Sequence, residues 1–172
     1  YATGSPLALS PGSRQFEVNS SDGQICQPIS IPGLATLDAP GLPSLPVQGA
    51  MLGIPLDAQP EVQILASEWT SLPGSYNLCL TPQPVFNRAP KSPWQLTGYT
   101  YGRGPAYQIN AFTPNPAAEL VSTGYLRSQR YAEIRFNPLQ YNPVSGEVRY
   151  YQRIRIEVRF NAPESIGAAP PA

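Results

Sequence analysis

The sequence predicts an all-β protein, an antiparallel two-sheet β-sandwich of jelly-roll type with long proline-rich loops and at most a short helix. Three observations carry this. The 172 residues include 22 prolines and 14 glycines, so few windows of a dozen residues lack a helix breaker. Ten tyrosines and many short Val, Ile and Leu runs lie between those breakers, as strands separated by turns require. The run Arg153-Ile154-Arg155-Ile156-Glu157-Val158-Arg159-Phe160 alternates strictly with period two. It sets Ile154, Ile156, Val158 and Phe160 on one face, predicted to point between the sheets, and charge on the other.

Residues 1–13 are rich in Pro, Gly and Ser and read as an entry arm, and 14–18 alternate as a first strand. Ile25, Ile29 and Ile31 flank Pro28, which fits an edge strand. The proline density from Pro40 to Val47 favours extended geometry, leading into Met51 to Leu56. Residues 62–69 and 76–80 read as strands, and 82–93 as a loop with four prolines. Residues 94–101 return to an extended pattern. Residues 117–122 are the one helical turn predicted, with Pro116 near its start. The strands over 130–136 and 153–160 read as neighbours across the turn Asn142-Pro143-Val144-Ser145-Gly146, in which Pro fixes φ and Gly supplies positive φ. Tyr141 beside it is expected to anchor the core or a corner. The expected division is an arm at 1–13, a domain at 14–160 and a linker at 161–172 toward a further domain.

Eleven basic and eleven acidic residues give no net charge and no run of one sign, so binding driven by nucleic-acid phosphates is not expected. No stretch reaches the roughly 20 apolar residues of a membrane span. A chain that starts at Tyr1 without Met reads as a processed product. There is no histidine, which removes Ser–His–Asp and Cys–His catalytic devices from this chain. Cys26 and Cys79 lack CxxC spacing, so neither metal nor other cofactor is expected. They are either two buried thiols or one disulfide; in a secreted protein the bridge is favoured and would stabilise by about 4 kcal/mol. The carboxylates are scattered, with no convergent pair for glycosidase chemistry.

Four blocks in order carry a family resemblance: Gly41-Leu42-Pro43-Ser44-Leu45-Pro46-Val47; Ile54-Pro55-Leu56 with the apolar run after Val62; Ala111-Phe112-Thr113-Pro114 with Leu126-Arg127-Ser128-Gln129-Arg130; and Pro138-Leu139-Gln140-Tyr141-Asn142-Pro143 with Ser145-Gly146. From the late twenties to Phe160 the chain resembles the propeptides of gingipain-type, family C25 cysteine peptidases. The resemblance implies a non-catalytic, secreted or cell-surface prodomain that holds a zymogen latent and assists its folding. Its partner would be the cognate C25 catalytic domain. It further implies that a basic residue from the 82–93 loop enters the partner's S1 pocket. Asn87-Arg88-Ala89 matches that pattern, which makes Arg88 the candidate, with Lys91 and Arg103 as backups. A guanidinium pairs bidentately with an acidic pocket floor, whereas an ammonium acts as a point charge. The bland reading of Arg88 is one solvated surface charge. The alternative for the whole chain is a β-sandwich binding or adhesion module of a cell-surface protein.

Overall fold

The computed structural model describes residues 26–37, 39–87 and 93–161. Nine strands occur in them: β1 Ala35–Thr36, β2 Pro46–Gly53, β3 Gln59–Ser71, β4 Gln83–Asn87, β5 Gln95–Thr100, β6 Ala118–Leu126, β7 Gln129–Phe136, β8 Leu139–Asn142 and β9 Glu147–Asn161. All strand pairs are antiparallel, as expected from the alternation. The two main sheets run β1-β2-β7-β6 and β3-β9-β8, and β4-β5 forms a third sheet of two strands. The main sheets meet where β3 packs against β6. The sequence reading for 14–18, the expected arm and the expected linker beyond Asn161 fall outside the described residues, and Asn161 itself ends β9.

The core sits at the short end of the second sheet. All four residues of β8 are buried. Register pairs Leu139 with Tyr150 and Tyr141 with Val148, so these four share one face. Leu139, Tyr141 and Val148 on that face close over Leu45 and Leu78, with Ile29, Ile31, Leu72, Tyr76 and Tyr107 packed around them. The Tyr141 hydroxyl donates to the Tyr76 carbonyl at 2.8 Å, which satisfies the phenol inside the core. On the opposite face, Arg149 lies between two rings, its guanidinium carbon 4.2 Å from the Trp69 centroid and 3.7 Å from that of Phe112. That stack clamps the 112–114 segment to the back of the sheet. Gln140 adds to the clamp by donating to the Pro114 carbonyl at 2.7 Å.

Several segments differ from the sequence reading. Residues 117–122 are not a helical turn: from Ala118 on they belong to β6, and a bulge between Leu120 and Ser122 breaks the period of two that would have marked a strand. The helical element found is a single 3₁₀ turn at Pro105–Gln108. Residues 76–80 make only isolated bridges, Gln27 with Leu78 and Pro43 with Leu80. The 82–93 loop is in part strand, because Gln83–Asn87 is β4. Ile154, Ile156 and Val158 are half-buried and Phe160 is 46% exposed, so they do not fill an inter-sheet core. The cause is length: β9 has 15 residues and outruns β8, leaving its second half paired only with β3.

Cys26 and Cys79 form a disulfide with their Cα atoms 4.8 Å apart. It fastens the first described residue to the segment that carries Leu78 into the core. At the β8–β9 turn, Gly146 has φ 75°, and a Cβ there would lie 3.1 Å from the Tyr76 carbonyl oxygen. The Asn142 side chain accepts from the Val144 and Ser145 amides, building the turn from its own sequence. Any side chain at 146 is both strained and obstructed. Gly146→Ala is therefore expected to cost about 1–3 kcal/mol, read as a fall in the thermal midpoint with secondary structure retained below it.

Burial pushes the phenols of Tyr107, Tyr141 and Tyr151 above the ordinary tyrosine range. A raised folded-state pKa means the contribution is complete below the unfolded value of about 10 and is lost as pH climbs through the folded values. Without histidine, no side chain of that type titrates between. Denaturant midpoints should thus be flat from about pH 6 to 9 and fall steeply above about 10, together with a late rise in tyrosinate absorbance.

Candidate functional site

The β4–β5 hairpin stands apart as its own two-stranded sheet. Val85 and Phe86 in β4, and Leu96 and Tyr99 in β5, supply the β-branched and aromatic side chains that favour a strand. Register runs Gln83 to Thr100, Pro84 to Tyr99, Val85 to Gly98, Phe86 to Leu96 and Asn87 to Gln95. A bulge on β5 lets the Thr97 hydroxyl donate to the Val85 carbonyl at 3.1 Å, which pins the irregular step. Cross-strand partners share a face, so Pro84, Phe86, Leu96 and Tyr99 lie together.

Asn87 is the last residue of β4 and is exposed. Arg88, Ala89 and Lys91 lie outside the described residues, in the connection from β4 to β5. Arg103 is placed elsewhere, after β5, with its guanidinium carbon 5.3 Å from the Tyr107 ring centroid. Its glycine-flanked turn is held rather than loose, since the Gly104 amide donates to the Gly41 carbonyl at 2.9 Å. Gly41, at φ 80°, is a position where a side chain would be strained, and its Cβ would crowd the Gly104 nitrogen at 3.2 Å. The ring of Tyr107, itself packed against the core, thus keeps Arg103 against the body of the domain.

Sequence reasoning passed over the hairpin's apolar side chains. Phe86 is 52% exposed, Leu96 49% and Tyr99 55%, so this face is about half open to solvent. The available signal was symmetry: apolar residues recur on both sides of one proline-rich stretch, as in two strands returning on each other. Among the described residues, no group of three His, Cys, Asp or Glu side chains could hold a metal. No helix among them is long and apolar enough to cross a membrane.

The family model described as Propeptide_C25 matches residues 11–170. Gingipain R1 of Porphyromonas gingivalis is 28% identical over 142 residues, covering 83% of this chain and 14% of that protein. The chain therefore spans about a seventh of that relative's length. A solved complex of Porphyromonas gingivalis RgpB pro- and mature domains superposes with a TM-score of 0.68 at 26% identity, over 84% of this chain and 73% of that one. A gingipain K structure bearing on that protein's zymogenic latency, also from Porphyromonas gingivalis, gives a TM-score of 0.64 at 24% identity, over 86% and 80%, and shares the fold. The family-model match spans all nine strands and the β8–β9 turn. The chain belongs to the C25 propeptide family and is a non-catalytic prodomain.

Proposed function

We propose that this prodomain keeps a secreted or cell-surface C25 cysteine peptidase latent, and assists its folding, by presenting Arg88 from the β4–β5 connection to the S1 pocket of the cognate catalytic domain. The observation that carries the reading is the separation of the hairpin from both main sheets, with Asn87-Arg88-Ala89 at the end of β4. Arg88 follows directly on the last residue of β4 in the sequence, and four prolines in residues 82–93 restrict the unbound chain. Less entropy is then lost on binding. The disulfide supports an oxidising compartment for the partner as well. The likeness to an RgpB pro–mature complex supports a catalytic domain as that partner. Arg103, stacked on Tyr107, is the weaker choice because reaching a pocket would break that contact. Lys91 stays the backup in the same connection, with one ammonium in place of a fork.

Added in trans, the domain should inhibit its own C25 enzyme at nanomolar concentration, about −12 kcal/mol, and leave papain-like enzymes untouched. Arg88→Ala should weaken inhibition at least about tenfold, since truncating a buried charged anchor commonly costs about 2–5 kcal/mol. The thermal midpoint should stay within about a degree, as for other surface substitutions. If Arg88→Ala inhibits like the parent while Lys91→Ala or Arg103→Ala does not, the anchor is misassigned. No inhibition by the parent at micromolar concentration overturns the reading.

A further inference from the structure

We infer that Arg149 anchors a carboxylate-binding site on the outer face of the second sheet, independent of the hairpin and of any catalytic domain. Register sets Ser71, Arg149 and Gln140 side by side across β3, β9 and β8, with Trp69 and Tyr151 as the next pair along the same face. Trp69 and Phe112 cover both faces of the guanidinium, their ring centroids 4.2 Å and 3.7 Å from its carbon. What is left open is its edge. The Nε atom is buried without an acceptor. The two Nη atoms are not buried, and among the described residues no hydrogen bond or ion pair reaches them. Gln140 is engaged elsewhere, since it accepts from Tyr151 and donates to the Pro114 carbonyl. Glu147, the neighbouring carboxylate on this face of β9, is exposed and forms no ion pair with the arginine.

An arginine held in this way presents a rigid fork of N–H donors in one fixed plane. Water does not reach the Nε, so burial has removed part of the cation's hydration without replacing it. An anion on the Nη edge restores what is missing. The rings above and below restrict its approach to the guanidinium plane, where a planar carboxylate pairs through two parallel N–H···O bonds. A tetrahedral phosphate or sulfate would push oxygens out of that plane toward the rings. Ser71 is exposed, and its hydroxyl makes no bond to the described residues, so it can donate to the same anion from the strand opposite Arg149. Trp69 is 47% exposed and offers apolar surface to the body of an organic acid. The ligand is therefore a carboxylate, carried by a small free acid or by the C-terminus of a peptide, which present the same group.

The test uses the 172-residue chain, with the Arg149 Nε–H and Trp69 indole N–H resonances followed by NMR at constant ionic strength. Acetate replacing chloride should shift both saturably, with a midpoint of roughly 1–10 mM, the strength expected of so small a ligand. Sulfate should not. Arg149→Lys keeps the charge but loses the fork, and should abolish the saturable shift of the Trp69 signal. That change also touches the Phe112 stack, so a second variant leaves the stack intact. Ser71→Glu sets a carboxylate across the strands from Arg149, and should weaken acetate binding at least about tenfold by competing within the chain, without lowering the thermal midpoint. A short peptide with a free C-terminus, compared with its amide, separates the two sources. Binding tighter than acetate and lost in the amide assigns the site to a chain terminus; binding no tighter than acetate assigns it to small acids. Absence of a saturable shift in the parent, an equal response to sulfate, or unchanged acetate affinity in Ser71→Glu overturns the site. None of these outcomes bears on the prodomain reading, because no enzyme takes part.

Discussion

The structure depends on one fully buried strand whose polar side chains serve the backbone of its neighbours. β8 carries Leu139, Gln140, Tyr141 and Asn142, and none of them reaches solvent to a useful degree. Leu139 and Tyr141 face the core, while Gln140 and Asn142 would be costly there without partners. Each has them. The Tyr151 hydroxyl donates to Gln140, Gln140 donates to the Pro114 carbonyl, and Asn142 donates to Asn110 at 2.7 Å while accepting from the turn amides. The Tyr141 amide and carbonyl pair with Thr113, both at 2.9 Å. A four-residue strand thereby orders the 76–80, 110–114 and 143–146 segments, which could not order themselves with so little regular structure.

That arrangement separates two tasks. The disulfide, β8 and the Arg149 stack hold the long loops against a small core, and the β4–β5 hairpin is left outside it. A well-anchored body with a half-exposed hairpin outside both main sheets is suited to a prodomain, because the hairpin can engage a partner without disturbing the fold that presents it. The 172 residues contain no histidine, the side chain whose ordinary titration falls between about pH 6 and 8.

Legibility in the sequence followed physical cause. The turn at residues 142–146 was readable because proline, asparagine and a positive-φ glycine each act locally, and Gly146 takes that conformation at φ 75°. Tyr141 was readable as an anchor because a large amphipathic ring beside a tight turn has few other uses. Strand β6 was not, since the bulge at Val121 shifts its pattern out of period. The alternation of β9 showed a strand but not its surroundings: whether Ile156 or Phe160 is covered depends on how far β8 extends, which is a property of another segment. Asn87-Arg88-Ala89 became a candidate only through resemblance, because a lone arginine in a loop carries no local mark of function. The exposed face was missed because Pro84 put β4 inside a proline-rich loop, which left the extended run at 94–101 without a visible partner strand.

The central claim is that a rigid β8-centred body presents the β4–β5 hairpin to a catalytic domain. Hydrogen–deuterium exchange on the prodomain, free and bound to the inactivated cognate enzyme, tests it directly. The Tyr141, Gly146 and Thr113 amides should be protected in both states, at the level set by global unfolding. The amides of Gln83–Asn87 and Gln95–Thr100 should exchange quickly when free and slow by at least about tenfold in the complex. Unchanged exchange in the hairpin, with new protection confined to another edge such as β3 or β6, would contradict the account.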